Sequence, residues 1–417
     1  MSARPLVVVQ PSADYARRVR AHVPGALLLA SPERCAQLEG FDAVPADLTN
    51  PAAALQALRL RLRRMGGDPG GITCFVCEHL LVTARLAAAL GLPYHSVDLV
   101  QATRSKGRCA AIWQAHGVPT PPTAVVRGLD DLLAFAADYA PPWIVKPLDG
   151  SGSEWAMRAE TPAQLRAAHE QLVAGLAAGR GVAPAAVAHL VQRFVEGREF
   201  GADLLVSGGE VRIARLTEKR LRRDRALAGI VEAYYFPRLS DSEQRQLGET
   251  LAAAVRALGV TWGVAMADVM LAREGPLMLE VALRPGGDCL PDLCIHATGY
   301  DPVRTACRLA LGLAPDLAPP RTGRSIAALH LLSEHAGVIR RIDCSRLVAD
   351  PRVVKLIEVY HAPGDEVRLW AGSYDDRILA AVLVQCDDPD ELPQLSRQLA
   401  QCIDVEFEPP EESAGET

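Results

Sequence analysis

Two acidic residues that lie close together in the sequence, Asp268 and Glu280, are candidate ligands for a divalent cation. Each lies in a short apolar run of strand composition, and the turn-prone segment 273–276, Arg-Glu-Gly-Pro, separates the two runs. A hairpin with this turn would bring both carboxylates to one place. Magnesium is commonly held by one or two carboxylates and takes its other oxygen ligands from phosphate and water. The pair therefore predicts a magnesium–phosphate site, and the alternative is a surface hairpin with two solvated acids.

An arginine and two glycines follow the second acid. Arg284 stands four residues after Glu280, and Gly286 and Gly287 come directly after Pro285. A guanidinium forms paired hydrogen bonds with carboxylate or phosphate groups, and glycine allows the backbone to approach a ligand closely. We therefore expect Arg284, Gly286 and Gly287 to contact an anion near the acid pair.

A second candidate site for anions combines a lysine with a glycine- and serine-rich loop. Lys146 ends an apolar run and precedes the sequence Asp-Gly-Ser-Gly-Ser at residues 149–153. Backbone N–H groups of such a loop wrap around phosphates while the lysine supplies a point charge. The G-x-x-x-x-G-K-[ST] pattern of a P-loop is absent, so this pattern alone is weak. Lys106 begins a short basic helix that ends at Gly117, and it is either another phosphate ligand or a solvated charge.

The first hundred residues predict a parallel α/β sheet. Apolar runs at 6–9, 26–30 and 72–77 alternate with helical patterns that include 51–64 and 81–90. Such alternation is typical of a parallel sheet covered by helices on both faces. No G-x-G-x-x-G opens the first helix, so a nicotinamide dinucleotide site is not expected. Glu78 lies just past the carboxyl end of the third run, which we expect to be a central strand, where open α/β sheets place ligands. It is either a substrate contact or a solvated loop acid.

The rest of the chain predicts a mixed α+β architecture. Helices are expected at 161–178, capped by Thr161 and ended by Gly179, at 240–258, and over most of 290–313. Strands are expected on both sides of the turn 207–209 and, after a proline-rich linker at 315–323, at 326–332, 353–360, 365–370 and 378–384. The basic segment 218–225 predicts either a disordered loop or a mobile lid. A helix at 391–403 precedes an acidic tail from Glu406 that we expect to be disordered.

Composition restricts the class of protein. The formal net charge of −6 and a pI near 6.0 argue against a general nucleic-acid binder. The ten cysteines contain a single C-x-x-C, Cys74 and Cys77, which we interpret as part of a buried strand, with a redox or zinc role as the alternative. The N-terminus lacks the apolar region of a signal peptide, and no apolar run is long enough to span a bilayer. We expect a cytoplasmic protein without nucleic-acid or membrane partners.

Five segments occur in the order found in a known superfamily. They are Ser105-Lys106-Gly, Ile144-Val-Lys-Pro with its Gly/Ser loop, Val191-Gln-Arg-Phe-Val-Glu-Gly-Arg-Glu-Phe, the two acids, and the strand-rich C-terminal region. This set resembles the ATP-grasp superfamily, specifically its carboxylate–amine ligases of the L-amino-acid ligase and carnosine-synthase kind. The resemblance implies an N-terminal parallel α/β subdomain (1–100), a central nucleotide-grasping domain (101–320), a small strand-rich α+β subdomain (321–408) and a disordered tail (409–417). The central domain would divide into a small lid-bearing part (101–190) and a large part with the metal site (191–320).

The resemblance also implies roles for single residues. ATP phosphates would be bound by Lys106, Lys146, Gly150, Ser151, Gly152 and Ser153, adenine by Gln192, Phe194 and Val195, and ribose by Glu199. Asp268 and Glu280 would hold one or two magnesium ions, with manganese as an alternative metal. The catalytic residues would be Lys146, Glu280 and Arg284. Substrate contacts are implied for Glu78, Lys219, Glu232, Arg284, Gly286 and Gly287.

The activity implied by the resemblance is ATP-dependent formation of an amide or peptide bond. ATP would phosphorylate a substrate carboxylate, and an amine would attack the acyl phosphate, releasing ADP and phosphate. The substrates would be small carboxylates and amines of amino-acid type, as in dipeptide or natural-product biosynthesis, and the enzyme a homodimer. Two positions depart from the family pattern: Ala282 stands where many members have Asn, and Met266 where related ligases often have His. They predict a second metal ion held mainly by Glu280 and phosphate, and an altered substrate pocket or metal shell.

Two other functions are consistent with these residues. An ATP-grasp carboxylase would activate bicarbonate, and since the chain has no Met-Lys-Met biotin-carrier motif it would need a separate carrier protein. A non-catalytic ATP-binding module would account for Ala282, but it would not require both lysines and both acids. Stimulation of ATP hydrolysis by an amino acid, by bicarbonate, or by neither distinguishes the three.

Overall fold

The computed structural model describes residues 4–150, 152, 154–222, 229–315, 325–369 and 374–408. The chain divides into two compact units. Unit 1 contains Met1–Pro121, Val195–Leu216 and Leu239–Arg321, and unit 2 contains Pro122–Phe194, Thr217–Arg238 and Thr322–Thr417. The domain boundaries expected from the sequence stay a prediction. No helix in the described ranges is both long and apolar enough to cross a membrane.

Unit 1 begins with a parallel sheet covered by helices. Its elements are β1 (Leu6–Val9), α1 (Ala13–His22), β2 (Leu27–Ala30), α2 (Pro32–Ala36), β3 (Ala43–Pro45), α3 (Pro51–Met65), β4 (Gly71–Cys74), α4 (Leu80–Leu90), α5 (Val97–Thr103) and α6 (Lys106–Ala115). The strands pair in parallel in the order β3-β2-β1-β4. All residues of β1, β2 and β4 are buried, as expected for strands covered on both faces. The predicted parallel sheet is confirmed.

The third apolar run is a shorter strand than predicted. β4 ends at Cys74, and Cys77–His79 forms a single turn of 3-10 helix before α4. The backbone N–H of Val76 donates to the Cys74 sulfur at 3.4 Å, which bends the chain around the edge of the sheet. The interpretation of the C-x-x-C as part of one strand is therefore wrong for Cys77. Both thiols are buried and free.

The first segment of unit 2 is an antiparallel sheet with two helices. Its elements are β5 (Thr123–Val126), α7 (Leu129–Asp138), β6 (Trp143–Pro147), β7 (Met157–Ala159), α8 (Pro162–Arg180) and β8 (His189–Arg193), with strand order β5-β8-β6-β7. Thr161 caps α8 in a capping box with Gln164, as its sequence predicts. Gly179 does not end this helix, because Gly181 is the residue that adopts the left-handed conformation, with φ 62°.

The central part of the chain contributes long strands to both units. Its elements are β9 (Gly197–Ser207), β10 (Glu210–Arg222), β11 (Ile230–Tyr235), α9 (Asp241–Ala257), β12 (Trp262–Ala272) and β13 (Gly275–Ala282). In unit 1 the order is β13-β12-β9, followed by the first half of β10. In unit 2 the second half of β10 pairs with β11. The loop or lid predicted at 218–225 is therefore wrong for residues 218–222, and 223–225 lie outside the described residues.

Two helices and a strand-rich region complete the described chain. They are α10 (Leu290–Thr298) and α11 (Pro302–Ala310) in unit 1, followed in unit 2 by β14 (Ile326–Leu332), β15 (Gly337–Asp343), α12 (Ser345–Val348), β16 (Val353–Val359), β17 (Glu366–Val367), β18 (Ile378–Gln385), α13 (Leu392–Ala400) and β19 (Asp404–Phe407). Two antiparallel arrangements form there, β11-β14-β18-β16 and β17-β15-β19. Glu406 on β19 is the register partner of Arg341 on β15. The disorder predicted from Glu406 onward is therefore wrong for this strand. The expected tail 409–417 and almost all of the expected linker lie outside the described residues.

Candidate functional site

The two predicted metal acids face each other across a hairpin in unit 1. Asp268 on β12 and Glu280 on β13 are direct register partners. Side chains of such opposed residues lie on one face of the sheet, with Cβ atoms about 4.5–5.5 Å apart. The register shifts immediately afterwards, between Asp268 and Val269, so that Leu279 opposes no residue of β12. Because a bulge of this kind bends the strand and redirects neighbouring side chains, it helps to set the direction of the acid pair.

Lys106 lies against this acid pair. Its Nζ is 3.4 Å from Glu280 Oε2, and the two side chains are 14% and 29% exposed. Helix α6 places the lysine there: Ser105 caps its N-terminus, and the buried indole of Trp113 donates to the carbonyl oxygen of Ala254 on α9 at 3.1 Å. Two carboxylates and one ammonium group thus share one half-buried surface.

A further predicted ligand lies along the same face of the sheet. Glu199 on β9 is the register partner of Met270 on β12, two residues from Asp268. Since side chains alternate between the faces of a strand, Glu199, Met270 and Asp268 lie on one side. Glu199 is half-buried.

An apolar patch adjoins these carboxylates. It consists of buried Val195, Met270 and Ala272, with Leu277 and Leu279 partly buried beside them. An apolar surface bordered by carboxylates has the character of a nucleotide site, with the base on the patch and polar groups near the acids. Sequence analysis selected only Val195 from this patch.

Arg284 follows the end of β13. Its Nε donates to the Cys77 sulfur at 2.9 Å, and its Nη1 donates to the carbonyl oxygen of Pro285 at 2.8 Å. No carboxylate of the described residues lies within ion-pair distance of this half-buried guanidinium. Arg284 is thus anchored by neutral hydrogen-bond acceptors, and the Glu280 carboxylate acts on it from beyond ion-pair distance.

The loop after Arg284 is held by a buried ion pair that sequence analysis did not find. Arg215 on β10 makes two hydrogen bonds to Asp203 on β9, of 2.9 and 3.0 Å, and donates to the carbonyl oxygen of Gly201. Asp203 Oδ1 also accepts the backbone N–H of Gly286 at 2.8 Å. Both charged side chains are completely buried. The available signal in β9 was one acid, Asp203, next to the apolar run 204–206, whereas β10 contains many charged residues and gave no comparable signal for Arg215.

Glu78 lies past the carboxyl end of β4 with its side chain about half exposed. It lies in the 3-10 turn Cys77–His79, its side chain is 51% exposed, and Arg104 Nη2 is 3.8 Å away. Glu78 does lie just past the carboxyl end of this strand, but β4 is an outer strand of the sheet and not the central strand that we expected. Its role in substrate binding stays a prediction.

In unit 2 a glutamine orients the second predicted lysine. Lys146 Nζ on β6 donates to Gln192 Oε1 on β8 at 3.0 Å, and Gln192 Nε2 donates to Thr123 Oγ1 at 2.8 Å. Phe194 lies nearby on the chain with the Arg158 guanidinium 4.2 Å from its ring centre. The sequence did not indicate the contact between Lys146 and Gln192, and the adenine contact predicted for Gln192 is untested.

Helix α8 holds both ends of the glycine-rich loop. Arg180 pairs with Asp149 at 2.6 Å, and the ring of Trp155 packs so closely on Gly175 that a Cβ there would lie 2.3 Å from it. Trp155 has φ 55°, a conformation uncommon outside glycine. Gly150 and Gly152 also have positive φ, while Ser151 and Ser153 lie outside the described residues.

The predicted substrate residues are divided between the units. Glu78, Arg284, Gly286 and Gly287 belong to unit 1, whereas Lys219 and Glu232 belong to unit 2. Glu232 on β11 is buried, and burial raises the pKa of its carboxyl group. Lys219 lies on β10, opposite Tyr234.

Comparison with known proteins agrees with this arrangement. Residues 139–292 match the ATP-grasp domain family. The chain contains an ATP-grasp domain. Carnosine synthase 1 of Mus musculus is 25% identical over 377 residues, which cover 84% of this chain and 43% of that protein. A D-alanine–D-alanine ligase of Chromohalobacter salexigens is 30% identical over 219 residues, which cover 50% of this chain and 65% of that ligase. The chain spans less than two thirds of either relative.

A solved structure extends the likeness beyond the ATP-grasp domain. The L-amino acid ligase of Bacillus licheniformis has a TM-score of 0.77 and 18% sequence identity, covering 97% of this chain and 99% of that one. At this sequence identity, the structural likeness shows that the two proteins share a fold. The ATP-grasp fold and the resemblance to carboxylate–amine ligases expected from the sequence are thereby confirmed.

Proposed function

We propose that this protein is an ATP-dependent carboxylate–amine ligase that forms an amide or peptide bond and releases ADP and phosphate. The register pairing of Asp268 with Glu280, beside Lys106, carries the proposal. Oxygen ligands on two opposed strands, with a cation next to them, are the donor set that a metal-bound polyphosphate needs. The family likeness supports the same activity.

The residues present fit a magnesium nucleotide. Asp268 and Glu280 would supply carboxylate oxygens to magnesium, the apolar patch would contact the base, and Glu199 would bond the ribose. When bound, the magnesium nucleotide supplies the phosphoryl group that activates the substrate carboxylate. Manganese offers the same coordination chemistry with oxygen ligands.

The two lysines have matching roles in this proposal. Lys106 carries its charge to the acid pair, where it would bind phosphoryl oxygens and offset the charge that develops during transfer. Lys146 is oriented by the neutral amide of Gln192, and its ammonium group has the charge for a second phosphate contact. Arg284 and the Gly286–Gly287 segment would bind substrate, because a half-buried arginine whose hydrogen bonds within the described residues go only to neutral acceptors favours an anion.

The two departures from the family pattern lie opposite each other. Met266 on β12 is the register partner of Ala282 on β13, two residues from the acid pair. Neither side chain offers an oxygen or nitrogen ligand. We infer that a second metal ion depends mainly on Glu280 and on phosphate oxygens.

Phosphate release from Mg-ATP tests the proposal. The full chain is assayed with single amino acids, with pairs of amino acids and with bicarbonate, and products are examined by mass spectrometry. We expect one pair to stimulate release and to yield a condensed product. Release with bicarbonate alone would contradict the amide-forming activity, and MgADP binding without stimulated release would indicate a non-catalytic module.

A matched pair of variants connects this activity to the acid pair. Glu280→Gln should abolish turnover, because it replaces the charged carboxylate ligand by a neutral amide of nearly the same size. Glu274→Gln makes the same change at an exposed position in the turn of the same hairpin and should retain activity. Equal turnover in the two variants would contradict the role of Glu280.

A further inference from the structure

The two cysteines of the C-x-x-C lie at a bend in unit 1 to which the proposed function gives no role. Cys74 ends β4, and Cys77 begins the single turn of 3-10 helix that follows. The Cys74 thiol closes this bend, because its sulfur accepts the backbone N–H of Val76 at 3.4 Å and its S–H donates to the Val76 carbonyl oxygen at 3.3 Å. On the other side of Cys77, its carbonyl oxygen accepts the backbone N–H of Leu80. Local backbone contacts on both sides thus set the position of the Cys77 thiol.

The Cys77 thiol is one of two groups that hold the guanidinium of Arg284. Arg284 Nε donates to Cys77 Sγ at 2.9 Å, and Cys77 is only 5% exposed. Arg284 Nη1 donates to the carbonyl oxygen of Pro285 at 2.8 Å. Two bonds from different nitrogens fix the plane of the guanidinium, whereas the Pro285 bond alone would let it turn. Within the described residues Nη2 has no acceptor, so this nitrogen can donate to a ligand.

The backbone of Arg284 is held independently of its side chain. Its N–H donates to the carbonyl oxygen of Ala282, and its carbonyl oxygen accepts the N–H of Met266, both at 2.9 Å. Loss of the Cys77 thiol would therefore leave the backbone in place and release only the guanidinium. Such a change affects binding by Arg284 more than it affects the fold.

A thiol directs the guanidinium without pairing with its charge. Sulfur is a weak hydrogen-bond acceptor, and a carboxylate at the same place would form an ion pair instead. The neighbouring carboxylates do not replace it: Glu280 acts on Arg284 from beyond ion-pair distance, and the exposed Asp288 makes no ion pair with it. Arg284 is therefore oriented by neutral groups, and its charge can be used by a bound anion.

We propose that Cys77 is a positioning residue for Arg284, whose thiol fixes the guanidinium for binding of an anionic substrate while it leaves the charge unpaired by a direct contact. Cys74 acts one step further away, because its thiol closes the bend that carries Cys77. The inference rests on the proposed ligase function and adds a residue to which neither the sequence pattern nor the family likeness assigned this role. The C-x-x-C then requires neither a disulfide nor a zinc ion.

Three substitutions of Cys77 separate orientation from charge in the full chain. Phosphate release from Mg-ATP is measured at varied concentrations of the substrate pair that stimulates it. Cys77→Ala removes the acceptor and should raise the KM for one substrate about tenfold, with kcat and the KM for MgATP changed less than about twofold. Cys77→Ser keeps a neutral acceptor and should restore most of this loss. Cys77→Asp places a carboxylate beside Arg284 and should raise the same KM more than Cys77→Ala does, because the ion pair competes with the substrate.

A measurement without substrate separates this inference from the ligase function. Arginine side chains are isotope-labelled, and NMR follows exchange of the Arg284 Nε–H with water, with the signal assigned by its loss in Arg284→Lys. Exchange should be about tenfold faster in Cys77→Ala than in the unaltered protein, because the hydrogen bond is lost. Cys307→Ala is the matched control: it removes another buried thiol of unit 1, on α11, and should change neither exchange nor KM.

Separate results would overturn the two parts of the inference. An unchanged exchange rate in Cys77→Ala, or a KM equal to that of Cys307→Ala, would show that Cys77 does not position Arg284. Substrate binding by Cys77→Asp as tight as that by Cys77→Ser would contradict the need for a neutral acceptor. If Cys77→Asp does not fold, the alanine and serine variants still decide. If no substrate stimulates phosphate release by the unaltered protein, the ligase function fails, and the exchange rates still show whether Cys77 holds Arg284.

Discussion

Asp203 and Arg215 form an ion pair whose side chains have no exposed surface, and the same Asp203 oxygen that receives Arg215 Nη2 also accepts the backbone N–H of Gly286. Desolvation of two charges is costly, so such a pair is weak support for stability by itself. Its position suggests another effect: it fixes the loop that follows Arg284 to β9, which lies between β12 and β10 in the sheet.

Removal of one partner should reveal how strongly this pair is coupled to the fold. Asp203→Ala leaves a buried guanidinium unpaired, and we expect the free energy of unfolding to fall by about 3–5 kcal/mol. Asp14→Ala is the control, because Asp14 is 50% exposed and Arg18 keeps Asp292 as a partner. It should cost at most about 1 kcal/mol. Urea denaturation measures both values, and similar losses would contradict the role assigned to the Asp203–Arg215 pair.

Two glycines of one helix should respond oppositely to alanine. A Cβ at Gly175 would collide with the Trp155 ring, whereas one at Gly179 would meet nothing within 4 Å. Gly175→Ala should therefore destabilise by about 1–3 kcal/mol through overpacking. It should also raise the KM for MgATP, because Trp155 follows the glycine-rich loop to which we assign phosphate binding. Gly179→Ala should stabilise by about 0.5–1 kcal/mol. Thermal unfolding and initial rates at varied MgATP measure these effects, and an unchanged KM in Gly175→Ala would argue against the link to the loop.

The position opposite Met266 should control the metal requirement. Ala282→Asn adds an amide oxygen two residues from Glu280, so we expect half-maximal activity at a several-fold lower magnesium concentration. Ala282→Leu is the control of similar volume without an oxygen, and it should not lower this concentration. Ala282 is 6% exposed, so both variants share the burden of a larger buried side chain. An equal magnesium requirement in the two variants would contradict the prediction.

The distance between partners along the chain explains what the sequence could predict. A short turn joins the two apolar runs that carry Asp268 and Glu280, so the runs pair as one hairpin. Only the register of that hairpin then has to be predicted. The contact of Arg284 with Cys77 joins residues 207 positions apart, and that of Lys146 with Gln192 joins residues 46 apart. Such contacts depend on how separate elements pack, which no local pattern contains.

Charge composition misled the predictions at two strands. The basic residues at the end of β10 suggested an exposed loop, but Arg222 pairs with Glu334, which lies far along the chain. The acidic residues of β19 suggested disorder, but Glu406 meets Arg341 of β15. In both strands the charged side chains stay partly exposed, and each forms an ion pair with a residue that is remote in the sequence.

A buried histidine pair should make unit 2 sensitive to acid. His189 on β8 is fully buried, its Nε2 is 3.2 Å from His169 Nδ1, and its own Nδ1 has no partner among the described residues. Burial, followed by the neighbouring His169, lowers the pKa of His189 from 6.5 to about 4. The unfolded chain therefore binds a proton between these pH values while the folded chain does not. The contribution of neutral His189 to the free energy of unfolding is complete above pH 6.5 and is lost as the pH falls toward 4.

Replacement of this histidine should remove part of that pH dependence. His189→Leu cannot be protonated, so its free energy of unfolding should fall less than that of the unaltered protein between pH 7 and pH 5, by up to about 1.4 kcal/mol per pH unit in the window. His95 in unit 1 has a pKa lowered to about 4 by burial and should contribute a remaining slope of the same sign. His116→Leu is the control at an exposed position and should leave the slope unchanged. Parallel curves for His189→Leu and the unaltered protein would show that His189 does not govern the loss of stability.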